Sequence, residues 1–275
     1  MSRTHKEEEY KKIVQGAFDE ASDGYDNPSM RFFDNSAEHL IKQLSLGGNE
    51  HIADIATGTG KVALLAAKRL PGGRVTAVDI SEGMLSRARE KARLGGVSNI
   101  SFLCQDVDKV DFPGHAFDGL LCSFGVHFWS DMQGSLKRLT RSIKPGGFVA
   151  MTSFASGSFD PQSTLLLNRF KQYGVKLPDH YTWERLDSQK KTRELLESVG
   201  LTAIRTEQSS MGYYLTSVSQ WWDIVRFSGF RAFLNQLPAE RVEHFKSENL
   251  GEIEKTANGK GIYLNVETIF SIAYK

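Results

Sequence analysis

The sequence predicts an α/β fold, a doubly wound and mostly parallel sheet of seven strands with helical insertions after strand five and strand six. Two observations carry this prediction. Short apolar runs rich in β-branched residues alternate with helical patterns from about residue 50 to 154, as in a parallel sheet with helices on both faces. The first of these runs ends in a glycine turn that opens a helix, which is typical of a nucleotide-binding corner.

The stretch NEHIADIATGTG, residues 49–60, forms this corner, and KVALLAAKRL continues it as a helix. A phosphate-binding P-loop is excluded. It needs a glycine five residues before Gly60 and Ser or Thr after Lys61, but Ile55 and Val62 occupy these positions. The glycines are instead expected to let the backbone approach a ligand closely.

A dinucleotide fingerprint is formally satisfied, because Gly58, Gly60 and Ala63 match G-x-G-x-x-G/A and Asp79 follows at about the expected distance. The motif alone is weak. Asp54, in the strand just before the turn, would repel a pyrophosphate and favours a ligand that carries positive charge. A nicotinamide-dependent oxidoreductase therefore stays open as an alternative.

Five segments in order resemble the motifs of the class I methyltransferases that use S-adenosylmethionine. They are DIATGTG at 54–60, RVTAVDIS at 74–81, FLCQDV at 102–107, FDGLLCSF at 117–124 and KPGG at 144–147. The first and fourth segments most resemble the ubiquinone and menaquinone C-methyltransferase branch. The resemblance implies a Rossmann-like sheet with a helical lid, S-adenosylmethionine as cofactor, and methyl transfer to a small-molecule acceptor by in-line displacement.

The same resemblance implies a cofactor site along the carboxyl ends of the strands. Asp79 would accept hydrogen bonds from the two ribose hydroxyls, and Asp106 one from the adenine amino group. Ile80 and Met84 would sandwich the adenine, although a core role for Met84 is an alternative. The remaining residues expected to line the cofactor are Asp54, Ala56, Thr57, Gly58, Thr59, Gly60, Gln105, Val107, Ser123 and Phe124.

A general base is needed only if the acceptor must lose a proton. His127, four residues beyond Ser123, is the best-placed candidate, with packing between Phe124 and Phe128 as the alternative. Aromatic residues outside the core suggest a lid over an apolar or planar acceptor. The candidates for this lid are Tyr25, Arg31, Tyr213, Trp221 and Trp222.

Composition limits the other classes. A nucleic-acid methyltransferase is a second alternative, within the methyltransferase class. A net charge of +1 and the absence of a basic stripe argue against a nucleic-acid partner, and the SFGV after strand four is not the motif of amino-methylating nucleic-acid enzymes. No segment reaches the length of a membrane span, and the charged start is not a secretory signal, so a cytoplasmic protein is expected. Two cysteines support neither a disulfide framework nor a zinc site.

The segments expected along the chain are an N-terminal helical lid segment (1–48), the cofactor-binding core (49–154), core completion plus a helical substrate lid (155–263) and a final sheet strand (264–275). Ser36 is predicted to cap the helix before Gly47. The last strand is predicted to pair antiparallel. The acceptor, the methylated atom and the oligomeric state are not readable from the sequence.

Overall fold

A computed structural model describes residues 3–275, with side chains from Glu8 onward. The chain divides into two compact units. The sheet unit comprises Phe33–Ser156, Thr182–Ser209 and Thr268–Lys275, and the helical unit comprises the chain through Phe32, Gly157–Tyr181 and Ser210–Glu267. The predicted segments 1–48 and 155–263 are therefore each divided between the two units.

Seven strands form the main sheet, and two form a separate antiparallel pair. The strands are β1 (His51–Ile55), β2 (Arg74–Asp79), β3 (Ile100–Cys104), β4 (Phe117–Ser123), β5 (Ile143–Phe154), β6 (Thr202–Ser210), β7 (Tyr213–Leu215), β8 (Ile262–Leu264) and β9 (Glu267–Tyr274). The main sheet has the order β3-β2-β1-β4-β5-β9-β6, with β1 to β5 parallel and β9 antiparallel to β5. The predicted seven-stranded, mostly parallel sheet is confirmed.

Helices supply the crossovers of the sheet unit and most of the helical unit. They are α1 (Arg3–Ala21), α2 (Phe32–Lys42), α3 (Lys61–Lys68), α4 (Glu82–Leu94), α5 (Met132–Arg141), α6 (Gln162–Gln172), α7 (Gln189–Ser198), α8 (Val218–Phe227), α9 (Arg231–Leu234) and α10 (Ala239–Glu254). Within residues 3–275, no helix combines the length and the apolar composition that a membrane crossing requires.

The central strands are buried on both faces because helices cover them. Ile52, Ala53 and Ile55 of β1 are almost fully buried, as are Leu120 and Leu121 of β4. Strands buried on both faces appear in the sequence as continuous apolar runs, and these runs allowed the strands to be predicted. The one acid inside β1 is consequently placed in the core.

Two local predictions are wrong. Ser36 does not cap α2, which begins four residues earlier at Phe32, so that Ser36 lies buried within the helix. The early start brings Phe32 and Leu40 into the core and places Asp34 in the first turn, where its charge complements the helix dipole. Leu264 is not in the last strand of the main sheet, because it pairs with Tyr213 in the small sheet.

Tight packing surrounds the loop that follows β4. A Cβ added to Gly125 would lie 2.5 Å from the Cβ of Ala56 and 2.8 Å from the Sγ of Cys122. Neither neighbour is the end of a flexible side chain, so a larger residue would force the two loops apart. Gly251, on an exposed position of α10, has no atom within 4 Å of its added Cβ.

We predict opposite effects for alanine at these two glycines. Gly125→Ala should lower the free energy of unfolding by about 1–3 kcal/mol through overpacking, and Gly251→Ala should raise it by about 0.5–1 kcal/mol through helix propensity. Urea denaturation of the two variants and the parent measures both. Equal stability of the Gly125→Ala variant and the parent would contradict the packing argument.

Candidate functional site

The turn between β1 and α3 passes through left-handed backbone at Ala56 (φ 55°), Gly58 (φ 56°) and Gly60 (φ 78°). The two glycines serve different purposes. A Cβ at Gly60 would lie 3.0 Å from the Cβ of Ala88 on α4, so Gly60 permits close packing. A Cβ at Gly58 would meet no atom within 4 Å. Gly58 therefore borders open space, as a ligand-facing backbone does.

The carboxylate of Asp79 links this turn to the next helix. It lies at the end of β2, where Oδ2 accepts the amide of Gly58 at 2.7 Å and Oδ1 accepts the amide of Ser81 at 2.9 Å. Ser81 caps α4, since its hydroxyl accepts the amide of Met84. Asp79 is thus held in one orientation by two backbone donors, one on each carboxylate oxygen.

Asp54 is buried at 1% exposure beneath the same turn. The hydroxyl of Thr57 donates to its Oδ2 at 2.6 Å. Burial raises the pKa of Asp54 to about 7, the Thr57 hydrogen bond opposes this rise, and the charge of Asp79 adds to it. Near neutral pH the carboxyl is therefore divided between its two forms, and a cation nearby would favour the charged one.

The segment after β3 brings Asp106 to the same end of the sheet. Its Oδ1 accepts the amide of Asp108 at 2.9 Å, which stabilises the turn. The amide of Gln105 donates to the carbonyl of Asp79 at 2.8 Å, and the carbonyl of Val107 accepts from the guanidinium of Arg138. The loop is therefore anchored on both sides of the half-buried Asp106 carboxylate.

Strand order places the three predicted acids side by side. Asp54 lies opposite Ala77, two residues before Asp79, and Asp79 lies opposite Cys104, two residues before Asp106. Because β1, β2 and β3 are adjacent and parallel, the carboxylates come to one edge of the sheet. The two residues predicted around adenine differ, since Ile80 is half-exposed and Met84 is buried in the core.

The ends of β4 and β5, next in the sheet, carry hydroxyls and phenyl rings. The Oγ atoms of Ser123 and Thr152 are 2.9 Å apart. Phe124, at φ 56°, stacks on Phe154 with ring centroids 4.2 Å apart. Phe33 of α2 packs edge-on against Phe124 at 5.3 Å. Sequence reasoning missed Phe33, because nothing in its local pattern distinguishes it from its buried neighbour Phe32.

His127 lies inside the protein at 3% exposure. Burial, with a smaller contribution from the charge of Arg185, lowers the pKa of His127 to about 3. The imidazole is therefore neutral near pH 7 and has little tendency to accept a proton. Its loop is fixed by Arg185, which donates to the carbonyls of His127 and Trp129 at 3.1 and 2.6 Å.

The predicted lid residues lie in the helical unit, and two of them, Arg31 and Tyr213, contact each other there. The guanidinium of Arg31 stacks 3.5 Å from the ring centroid of Tyr213 and donates to the carbonyl of Tyr214 at 3.0 Å. Tyr213 donates its hydroxyl to the carbonyl of Ser29 at 2.6 Å. These contacts give Arg31 and Tyr213 a structural role within this unit.

The two predicted lid tryptophans are core residues of the helical unit. Trp221 is fully buried and donates its indole N–H to Asn249 at 3.1 Å, and Trp222 is 5% exposed. Tyr25 is half-buried, with its ring edge-on to Phe18 at 6.2 Å. A lid function for any of these residues stays a prediction.

A further pair near the turn was not anticipated. Lys61, the first residue of α3, bonds through Nζ to Oδ1 of Asp34 on α2 at 2.5 Å. Only 14% of the Lys61 side chain is exposed. The pair connects α2 to the start of α3. In the sequence, only the position of Lys61 directly after Gly60 pointed to a role for this lysine at the turn.

Together, the sheet order, the antiparallel β9 and the row of acids beside a glycine turn define the Rossmann-like class of α/β proteins. Comparisons with known proteins narrow this class. The chain matches the methyltransferase domain family over residues 52–147.

Aklanonic acid methyltransferase DauC of Streptomyces sp. (strain C5) is 35% identical over 153 residues, which cover 54% of this chain and 70% of that protein. Demethylmenaquinone methyltransferase of Bacteroides fragilis is 36% identical over 103 residues, which cover 37% of this chain and only 42% of that enzyme. The structure of phosphoethanolamine N-methyltransferase 2 of Haemonchus contortus, in complex with S-adenosyl-L-methionine, has a TM-score of 0.55 at 19% identity, over 88% of this chain and 52% of that one. This last likeness shows the fold.

The chain belongs to the class I S-adenosylmethionine-dependent methyltransferases. The resemblance drawn from the five motifs is thereby confirmed, and so is S-adenosylmethionine as the cofactor. A nicotinamide-dependent oxidoreductase is not supported by these relatives.

We predict that Asp54 makes stability depend on pH. Its carboxyl titrates near 3.8 when unfolded and near 7 when folded, so between these values the folded state binds more protons and the free energy of unfolding falls as pH rises. Between about pH 5 and about pH 8, the free energy of unfolding of the parent should fall by on the order of 2 kcal/mol more than that of the Asp54→Asn variant. Urea denaturation at the two pH values measures this difference. Parallel pH profiles of parent and variant would contradict it.

Proposed function

We propose that this protein transfers the methyl group of S-adenosylmethionine to a small-molecule acceptor, with the cofactor bound along the carboxyl edge of β1, β2 and β3. The observation that carries the proposal is the Asp79 carboxylate, oriented by the amides of Gly58 and Ser81. A carboxylate fixed in one orientation suits the two adjacent hydroxyls of a ribose, because each carboxylate oxygen can accept more than one hydrogen bond. The open space at Gly58 leaves room for the ligand beside it.

The other residues of the edge fit the remaining parts of the cofactor. Asp106 would accept from the adenine amino group, the amide of Val107 would donate to the ring, and the half-exposed Ile80 would pack on its face. Met84, which is buried in the core, would lie beneath the adenine ring. Residues 56–60 would contact the methionyl portion.

Asp54 suits the positive charge of the methionyl end. Burial leaves the Asp54 carboxyl only partly ionised near neutral pH, and the ammonium and sulfonium of the cofactor would favour its ionised form. Thr57 holds the carboxyl in place through its hydroxyl. Cofactor binding would then displace the proton that Asp54 carries in part of the free protein.

The bound cofactor supplies an electrophilic methyl group on a sulfonium. Transfer by in-line displacement requires alignment and dry surroundings, and orientation can contribute about 7–11 kcal/mol to lowering the barrier. The protein contributes by holding the loops at the carboxyl edge of the sheet in place. Asp79 holds the turn and Arg185 holds the loop after β4. We assign no proton transfer to His127, because its depressed pKa makes it a weak base.

A small-molecule acceptor is supported by the relatives, two of which are named for aklanonic acid and demethylmenaquinone. A net charge of +1 gives no support to a nucleic-acid substrate. A cytoplasmic site of action is part of the proposal, supported by the free thiols of Cys104 and Cys122.

The proposal predicts that Asp79→Asn weakens binding of S-adenosylmethionine by about 10- to 100-fold, since hydrogen bonds to a charged group contribute about 1.5–3 kcal/mol. Isothermal titration calorimetry measures the change. Asp118→Asn is the matched control, because Asp118 also accepts a backbone amide, from His51 at 2.8 Å, but precedes the buried part of β4 at the opposite end of the strand. The proposal fails if the parent does not bind the cofactor or if both variants bind it equally.

Cofactor affinity should also depend on pH through Asp54. Raising the pH from about 6 to about 8 increases the ionised fraction of a carboxyl with pKa about 7 by about tenfold, and affinity for S-adenosylmethionine should rise accordingly in the parent. Asp54→Asn should remove this dependence. Adenosine, which lacks the charged methionyl end, is the control ligand, and the idea fails if its binding shows the same rise.

A further inference from the structure

The functional edge of the sheet has two chemically different halves. In strand order, β3, β2 and β1 bring Asp106, Asp79 and Asp54, whereas the adjoining β4 and β5 end in Phe124 and Phe154. The acidic half suits a cationic cofactor. The other half offers phenyl rings, whose faces and edges favour an uncharged, apolar ligand.

Three rings form a cluster on this second half, all within the sheet unit. Phe124 and Phe154 stack with centroids 4.2 Å apart and an interplanar angle of 23°. Phe33 approaches Phe124 edge-on at 5.3 Å and 70°, and lies 6.3 Å from Phe154. Phe124 is buried, while Phe33 and Phe154 are half-buried. Phe33 and Phe154 are thus each partly accessible to solvent.

The cluster is held by the backbone as well as by packing. The amide of Phe124 donates to the carbonyl of Thr152 at 3.1 Å, so its ring is set directly by the pairing of β4 with β5. A left-handed φ of 56° at Phe124 is costly for a residue of this size. Such strain persists where the surrounding structure fixes the residue, and it is common at ligand sites.

We propose that the Phe33–Phe124–Phe154 cluster is the platform on which a planar, uncharged aromatic ring of the methyl acceptor lies. This inference rests on the proposed function, since it assumes a cofactor on the acidic half of the same edge. A flat ring continues the stacked and edge-on arrangement already present, and such aromatic pairs contribute about 0.5–1.5 kcal/mol beyond burial. A saturated ring of the same size loses this contribution.

The names of two relatives are consistent with such an acceptor. Aklanonic acid methyltransferase is 35% identical over 54% of this chain, and demethylmenaquinone methyltransferase is 36% identical over 37% of it. The platform selects acceptors with a planar, uncharged ring, and other contacts recognise the substituents of that ring. Specificity at this position would therefore come from shape and π-electron distribution.

The test compares two probes in the presence of S-adenosylhomocysteine: α-naphthol, which is planar, and decahydronaphthol, its saturated counterpart. Calorimetry should show saturable binding of α-naphthol to the parent, at least about fivefold tighter than decahydronaphthol. Phe154→Ala and Phe33→Ala should each weaken α-naphthol binding by about tenfold. Phe154→Leu, which keeps apolar volume but removes the ring, should show an intermediate loss.

Phe112→Ala is the matched control, because Phe112 is another half-buried phenyl ring, edge-on to Phe117 at 4.9 Å at the start of β4. It should leave α-naphthol binding unchanged. Equal binding of the two probes, unchanged binding in both platform variants, or an equal loss in Phe112→Ala would each overturn the proposal. Binding of S-adenosylhomocysteine is measured separately for every variant. Its absence in the parent would refute the proposed function, whereas its presence without α-naphthol binding would refute only the platform.

Discussion

The structure of the functional edge depends on one carboxylate. Asp79 accepts the amides of Gly58 and Ser81 through its two oxygens, and so ties the turn after β1 to the start of α4. The amide of Thr57 adds a second link, to the carbonyl of Val78 at 3.0 Å. Charge-assisted bonds of this kind are short and directional, and they hold a glycine-containing turn in a conformation that it would otherwise leave.

The order of the parallel strands divides the functional edge into two chemically different halves. At this edge β3, β2 and β1 carry acids, whereas the adjoining β4 and β5 end next to phenyl rings. A single edge can therefore hold a charged cofactor and an apolar acceptor next to each other without mixing their environments. Asp54 illustrates the cost of this arrangement, since its burial raises the pKa to about 7 and makes its ionisation dependent on a partner charge.

The aromatic residues and His127 show what sequence patterns do not specify. Trp221 and Trp222 are buried in the helical unit, where Trp221 donates to Asn249, and their predicted lid function stays a prediction. Phe33 shows no periodicity that separates it from Phe32, yet it joins the ring cluster through the placement of α2. His127 looks like a base on a loop, and only its burial beside Arg185 reveals the low pKa.

The sequence by itself determined the fold, the family and the acids of the edge, because buried parallel strands, a glycine turn and strand-terminal carboxylates are local patterns with characteristic spacing. Asp54, Asp79 and Asp106 could be found in this way. Tertiary structure alone decided which backbone amides orient Asp79, that Asp54 is buried enough to be partly protonated, and that Lys61 pairs with Asp34. It also decided that three phenylalanines far apart in the chain form one cluster of rings. These properties depend on burial and on contacts between residues far apart in the chain, and neither is encoded in any short stretch of sequence.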